Sequence, residues 1–229
     1  MIYALSDIHG NKDAFTSVLE QIQFTDNDEL YILGDVVDRN PYGIELLVDI
    51  MHRLNVHMLL GNHEYMMLQA LGLDLHGPKL REAIRLWFHN GGKVTFDAFM
   101  ALDRATQQEV ISYLKSLPLE FTLTVNNRNF VLVHATSKKM TQFHELHNDK
   151  LKEFLVWDRE SVQWIPAMGV HENEIVIFGH TPTCNLQNKR PLEIFVKDNI
   201  IGIDCGAAYP EIGRLACVRL DDLRVFYSE

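Results

Sequence analysis

Ile2-Tyr3-Ala4-Leu5-Ser6-Asp7-Ile8-His9-Gly10, Leu30-Tyr31-Ile32-Leu33-Gly34-Asp35-Val36-Val37-Asp38-Arg39 and Val56-His57-Met58-Leu59-Leu60-Gly61-Asn62-His63-Glu64 share one pattern. Each begins as a short apolar run and ends on a cluster of Asp, His or Asn beside a glycine. Runs of that length, stopped by turn residues, read as buried strands. After the first, Asn11 is placed to cap a helix in which Phe15, Val18, Leu19 and Ile22 recur at helical spacing. Residues 44–54 read as a second helix, ahead of the third run. This strand–helix–strand–helix–strand rhythm predicts an α/β fold with a mainly parallel start.

Outward from this region, residues 64–71, 79–88, 93–100 and 107–117 read as helices that form a cap or side lobe. The second half is rich in strand-like runs, at 121–125, 130–133, 175–178, 200–203, 215–220 and 225–227. Asn126-Asn127 suits a hairpin turn between the first two of these. The polar stretch 135–153 shows no strand, and a loop that long in a compact domain is usually functional or mobile. No repeat or linker interrupts the chain, so residues 1–229 are expected to form one domain. The fold class expected is α/β (α+β): a two-sheet β-sandwich flanked by helices. The N-terminal parallel strands should make most of one sheet and the C-terminal hairpins the other.

The composition excludes several classes. With 229 residues, 47% of them hydrophobic and 23% charged, the chain is long enough for a substantial core. A formal net charge of -10 argues against a sequence-independent nucleic-acid binder, which needs broad basic surfaces. Cys184, Cys205 and Cys217 are an odd, sparse set, as expected of reduced thiols in a cytoplasmic protein. The N-terminal run lacks a basic leader and is interrupted by Asp7, and no stretch has the length of a membrane span.

The chemistry lies in five polar clusters, each following an apolar run. Besides the three quoted, they are His134 after Val131-Leu132-Val133, and Gly179-His180-Thr181. Ligands of open α/β sheets gather at the carboxyl ends of strands, so five such ends would bring these side chains to one rim. Asp7 and His9, two apart in an extended chain, point to the same side and can grip one ion. The carboxylate of Asp35 has two oxygens and can bridge two ions. Asn62, His134 and His180 add a carbonyl oxygen and two imidazoles. Mixed N/O ligands suit Mn, Fe or Zn better than Ca or Mg. Two divalent ions against the two carboxylates leave positive charge to hold a hydroxide and a phosphate. Arg39 and Arg159 are candidates to clamp phosphate oxygens, since guanidinium matches them bidentately.

Each residue also has a bland reading. A single strand-end histidine is more often structural, Asp35 with Asp38 can be turn chemistry, and Asn62 with Glu64 can serve a helix N-terminus. It is the repetition at five strand ends that argues for a site.

These motifs resemble those of the phosphoprotein phosphatase family of metal-dependent Ser/Thr phosphatases, and among them the small phage lambda-type and bacterial enzymes. The family pattern stands here as Asp7-Ile8-His9-Gly10, Gly34-Asp35-Val36-Val37-Asp38-Arg39-Asn40 and Gly61-Asn62-His63-Glu64, followed by His134 and His180. Asn90-Gly91-Gly92, Val156-Trp157-Asp158-Arg159-Glu160 and Phe178-Gly179-His180-Thr181-Pro182 extend the likeness over nearly the whole chain. The resemblance implies a calcineurin-like metallophosphatase fold and a metal-dependent phosphomonoesterase acting on phosphoprotein or another phosphate ester. It implies one metal on Asp7, His9 and Asp35 and a second on Asp35, Asn62, His134 and His180, with manganese the expected metal. It also implies His63 as general acid oriented by Asp38, with Arg39 and Arg159 on the phosphate. Asn40 stands where the family has glycine. Asparagine tolerates left-handed backbone better than most residues, so a small adjustment with intact chemistry is expected.

Three other readings fit part of the sequence. Cys184 and Arg190 have the Cys-x5-Arg spacing of cysteine-dependent phosphatases, but no glycine opens the intervening loop to wrap a phosphate. Dinucleoside polyphosphate hydrolases resemble this chain in fold and metal site, but typically carry Asp where Glu64 stands. A silent phosphoprotein-binding module would usually have lost ligands. Among the other histidines, His52, His57, His76, His89 and His171 lie outside the five clusters and are expected to be surface or packing residues, and His144 and His147, in the polar loop, are not expected to contact substrate.

Overall fold

The computed structural model describes residues 1–72, 76–144 and 148–229, so His147 lies outside the described residues. The first half alternates β1 (Ile2–Leu5), α1 (Lys12–Gln21), β2 (Glu29–Ile32), α2 (Gly43–Met51), β3 (Val56–Met58) and α3 (Asn62–Ala70). Asn11 caps α1, its side-chain oxygen accepting from Ala14 N at 3.1 Å. Three further helices follow, α4 (Gly77–His89), α5 (Lys93–Met100) and α6 (Arg104–Ser116). The second half holds β4 (Glu120–Val125), β5 (Arg128–Val133), α7 (Asn148–Trp157), α8 (Ser161–Trp164), β6 (Glu174–Phe178), β7 (Phe195–Lys197), β8 (Ile200–Gly202), β9 (Ala216–Arg219) and β10 (Val225–Tyr227). Asn126 and Asn127 form the β4–β5 turn with φ of 48° and 62°, the left-handed pair that a tight hairpin needs.

The strands form two five-stranded sheets, ordered β10-β9-β1-β2-β3 and β4-β5-β6-β8-β7. β1, β2 and β3 are mutually parallel, as are β5, β6 and β8. Alternation along the strands explains the layering. Tyr3 and Leu5 of β1 face the helices of the first half, whereas Ala4 faces the second sheet. Phe130 and Leu132 of β5 point between the sheets, and Val131 and Val133 point outward onto Met140, Val162 and Ile165. The central strands β1, β5, β6 and β8 are thus largely buried on both faces, which is why they read as near-continuous apolar runs.

Two expectations need correction. The C-terminal hairpin β9–β10 belongs to the first sheet, pairing antiparallel with β1, and not to the second. Its residues are apolar on both sides: Leu215 and Cys217 join the helix-facing core, and Val218 and Leu220 the inter-sheet core. Docked there, the hairpin covers an edge of β1 that would otherwise expose unpaired backbone. The stretch 135–153 is not a plain loop. It contains a 3-10 turn, Lys138–Phe143, and enters α7. Leu151, Phe154 and Leu155 carry helical spacing that the surrounding charges obscured. The short edge strand β7 pairs through only three residues, two of them exposed.

Candidate metal centre

The carboxyl ends of the six parallel strands converge on one rim. Asp7 follows β1, Asp35 follows β2, Asn62 opens α3 after β3, His134 follows β5 and His180 follows β6. All five are buried, as are His9, Asp38 and His63. The backbone there is contorted. Asp7, His9, Asp35, Asp38, Arg39 and His180 adopt left-handed conformations with φ of 56°, 49°, 58°, 74°, 69° and 61°. Non-glycine residues so placed cost roughly 1–3 kcal/mol each and persist only where the surroundings impose them. Here cross-strand bonds do so: Asp7 N donates to Gly34 O at 3.1 Å, His9 N to Asp35 O at 2.9 Å, and Gly10 N to Val36 O at 2.7 Å.

The histidine tautomers follow from backbone carbonyls, which can only accept. His9 Nδ1 meets Val37 O at 3.1 Å, His134 Nδ1 meets Leu33 O at 2.6 Å, and His180 Nε2 meets Trp157 O at 3.1 Å. Burial holds all three rings below the ordinary histidine pKa, and so neutral. Each ring therefore turns a lone pair inward. Those lone pairs face other acceptors. Asn62 Oδ1 lies 2.9 Å from His134 Nε2 and 2.8 Å from His180 Nδ1. Asp35 Oδ1 lies 3.4 Å from His134 Nε2, and Asp35 Oδ2 lies 3.8 Å from His9 Nε2. Asp7 Oδ1 is 4.0 Å from His9 Nε2. Burial, with Asp7 and Glu64 nearby, pushes the Asp35 carboxyl well above its ordinary value. Acceptors packed against acceptors among buried side chains are what cations resolve, and the donor set fits divalent metals. Two groups within reach of a shared ion emerge, His9 with Asp35 and His63, and Asp35 with His134 and His180. Asp35 is common to both.

His63 sits beside these donors but is otherwise engaged. Its Nδ1 is 2.6 Å from Asp38 Oδ2, and its Nε2 is 3.3 Å from Arg39 Nη2. A carboxylate so close to an imidazole ordinarily favours the protonated ring. In the structure, burial and then the Arg39 charge hold His63 well below its ordinary value, and burial pushes Asp38 up to about 7. Desolvation and a neighbouring cation outweigh the carboxylate. Arg39 is exposed and its backbone N–H donates to Gly91 O at 3.2 Å. Arg159 is exposed at the end of the segment that follows α7, near enough to act on His63, His134 and His180.

Asn40 does not use the left-handed region, contrary to the reason given for tolerating it. The strain falls on Asp38 and Arg39 before it. Asn40 instead grips the His9 carbonyl twice, through its backbone N at 3.2 Å and its Nδ2 at 2.9 Å.

Several residues escaped the sequence reading. Asp204 follows β8 as a sixth strand-end carboxylate, buried and accepting from Gly206 N at 2.9 Å. Burial and Asp7 push it well above its ordinary pKa. The run Ile200-Ile201-Gly202-Ile203 before Asp204-Cys205-Gly206 repeats the pattern of the other five and could have revealed it. Glu64, read only as a helix-terminus residue, is fully buried and accepts from Asp35 N and Val36 N at 2.9 Å, Gly61 N at 3.1 Å and Val37 N at 3.2 Å. It ties the loop carrying Asp35 to the start of α3. Gly61 has no room for a side chain, since a Cβ would fall 2.2 Å from Asp35 Oδ1. Glu64→Ala strands four buried backbone donors, each worth about 1–3 kcal/mol, so a stability loss of at least about 3 kcal/mol is expected. Urea unfolding measures it, and a loss below about 0.5 kcal/mol, the scale of ordinary surface substitutions, would refute the role.

Of the loop histidines, His144 packs on Phe154 with ring centroids 4.6 Å apart and reaches Ser161 Oγ at 3.1 Å. His171 lies between Ser137 Oγ and Glu174 Oε2, 2.6 Å from each. That chain has the order of a hydrolytic triad, but Ser137 is fully buried, so it serves to pin the segment after His134 to β6. Cys184 is exposed in the 3-10 turn Thr183–Asn185. Among the described residues, no helix is long and apolar enough to cross a membrane.

Residues 1–200 match the family model described as calcineurin-like phosphoesterase. Serine/threonine-protein phosphatase 2 of Escherichia coli is 27% identical over 227 residues, 96% of this chain and 92% of that protein. The symmetrical bis(5'-nucleosyl)-tetraphosphatase of Neisseria meningitidis is 31% identical over 136 residues, 58% of this chain and 42% of that enzyme. The chain thus spans half or less of the length of several curated relatives that it matches. A crystal structure assigned as a candidate diadenosine tetraphosphatase superimposes with a TM-score of 0.65 at 19% identity, covering 99% of this chain and 91% of that one.

Proposed function

The chain belongs to the calcineurin-like phosphoesterase family, and from that premise we propose that it is a serine/threonine-type phosphoprotein phosphatase with a dinuclear metal centre. The observation that carries this reading is Asp35, a single buried carboxylate shared by two converging groups of neutral nitrogen and oxygen donors. Asp7, His9 and Asp35 would hold one ion, and Asp35, Asn62, His134 and His180 the other, with manganese favoured and iron or zinc compatible with the same donors. When bound, such a pair supplies Lewis acidity to a phosphate ester and lowers the pKa of water toward about 7.

The remaining steps fall to the chain's own residues. Arg39 and Arg159 would grip the phosphate oxygens from the open side. Burial first and the arginine charges second hold the His63 pKa down, and a phosphate dianion set between the arginines offsets the second of these. His63, its Nδ1 held by Asp38, could then carry a proton on Nε2 and hand it to the departing alkoxide.

For the substrate, the full-length likeness to a serine/threonine phosphatase and the four backbone bonds of Glu64 favour a phosphoprotein. An aspartate at position 64 would be one methylene short of bridging the same donors. A second reading, hydrolysis of dinucleoside polyphosphates, is favoured by the tetraphosphatase relatives. Rates on a phosphoserine peptide and on diadenosine tetraphosphate, each with added Mn, discriminate them. The peptide is expected to be turned over at least about tenfold faster, a margin of about 1.4 kcal/mol in the barrier. The reverse order would replace the first reading with the second.

A further inference from the structure

Apart from His63, the partners of Asp38 lie outside the metal-binding motifs. Trp87 Nε1 donates to both carboxylate oxygens, at 2.9 Å to Oδ2 and 3.1 Å to Oδ1. The Thr95 hydroxyl accepts from Asp38 N at 2.8 Å. Both side chains are almost completely buried. They belong to α4 and α5, the helical lobe inserted between the strands of the first sheet and those of the second. Asn90-Gly91-Gly92 joins the two helices. A Cβ on Gly92 would fall 2.3 Å from Trp87 Nε1, so only glycine leaves the indole its place. The same joint holds Arg39 through the Gly91 carbonyl.

Asp38 has few other ways to be held. It sits in a left-handed turn with φ of 74°, fully buried, and its Oδ2 is already shared with His63 Nδ1. An aspartate has two torsions, and the indole N–H spanning both oxygens sets the second of them. The plane of the carboxylate in turn sets the plane of the His63 ring, whose Nε2 must point at the leaving oxygen. We propose that Trp87 is a positioning residue for proton delivery: its N–H, seated against Gly92, orients Asp38 and through it His63. The inference rests on the proposed acid role of His63. It predicts that the helical lobe governs the efficiency of leaving-group departure, without touching substrate or metal through Trp87.

The test compares turnover of a phosphoserine peptide, whose alkoxide needs a proton, with turnover of p-nitrophenyl phosphate, whose leaving group does not. Trp87→Phe keeps the ring and deletes the N–H. Gly92→Ala keeps the indole and displaces it, and serves where Trp87→Phe fails to fold. Each is measured in the full chain with saturating Mn, with bound metal counted by emission spectrometry, and again in a His63→Asn background. Losses for supporting partners of a reactive group typically run about 10- to 100-fold. A loss of that size on the peptide, with a loss under about threefold on p-nitrophenyl phosphate, is expected from either variant. In the His63→Asn background the peptide-selective loss should vanish, since the residue acted upon is gone. Equal losses on both substrates, or an undiminished selective loss without His63, would overturn the inference. If His63→Asn is selective and neither lobe variant is, the inference alone fails. If His63→Asn itself slows both substrates equally, the acid role fails and the inference with it.

Discussion

Asp35→Asn is expected to release both metal ions and to lower turnover on the order of 10³-fold. A metal acting as Lewis acid contributes several kcal/mol to the transition state, and each 1.36 kcal/mol is tenfold in rate. The geometry makes this position unlike the other donors. Asp35 Oδ1 lies 3.4 Å from His134 Nε2 and Oδ2 lies 3.8 Å from His9 Nε2, so its two oxygens face the two halves of the site. Asparagine removes the negative charge and turns one acceptor into an NH2 donor pointing at a lone pair. It also weakens the bond from His63 N to Asp35 Oδ1, 3.0 Å in the parent. His9→Ala, by contrast, removes a donor from one half and should chiefly weaken one ion. Metal content of the purified variants, read beside turnover, decides the matter. Two tightly held ions and normal turnover in Asp35→Asn would sink the shared-carboxylate assignment.

His63→Asn should slow hydrolysis of a phosphoserine peptide by ~10²–10⁴-fold, the usual worth of a positioned general acid. Hydrolysis of p-nitrophenyl phosphate should fall far less, because p-nitrophenolate leaves without a proton. Both ions should remain bound, since the His63 side chain is committed to Asp38 at 2.6 Å and to Arg39 at 3.3 Å. The alternative is that His63 merely supports Asn62 and the first turn of α3. It is also grouped by position with His9 and Asp35, within reach of one ion. Either alternative predicts similar losses on the two substrates and a fall in metal content. Equal losses at saturating metal would therefore count against the acid role.

Much of this arrangement was legible along the chain, because strand ends and caps are local. The apolar runs before Asp7, Asp35 and Asn62 became β1, β2 and β3, and those before His134 and His180 became β5 and β6. Asn11 caps α1 and Asn126-Asn127 turns the β4–β5 hairpin, each through an interaction confined to neighbouring residues. Helix α7 was hidden by its charges, although Leu151, Phe154 and Leu155 keep the helical period. Asp204 repeats the same local pattern, an apolar run ending on a carboxylate near a glycine.

The local pattern by itself determined which side chains stand at strand ends and that the central strands are buried on both faces, since runs of apolar residues stopped by polar clusters state both. Only the tertiary structure decided which sheet β9 and β10 join, because their two apolar faces suit either. It alone brought Trp87 to Asp38 across 49 positions and the Trp157 carbonyl to His180 across 23. Whether a buried polar atom is satisfied depends on what packs against it from elsewhere in the chain. That information is carried by the assembled layers, and no spacing between the two residues contains it.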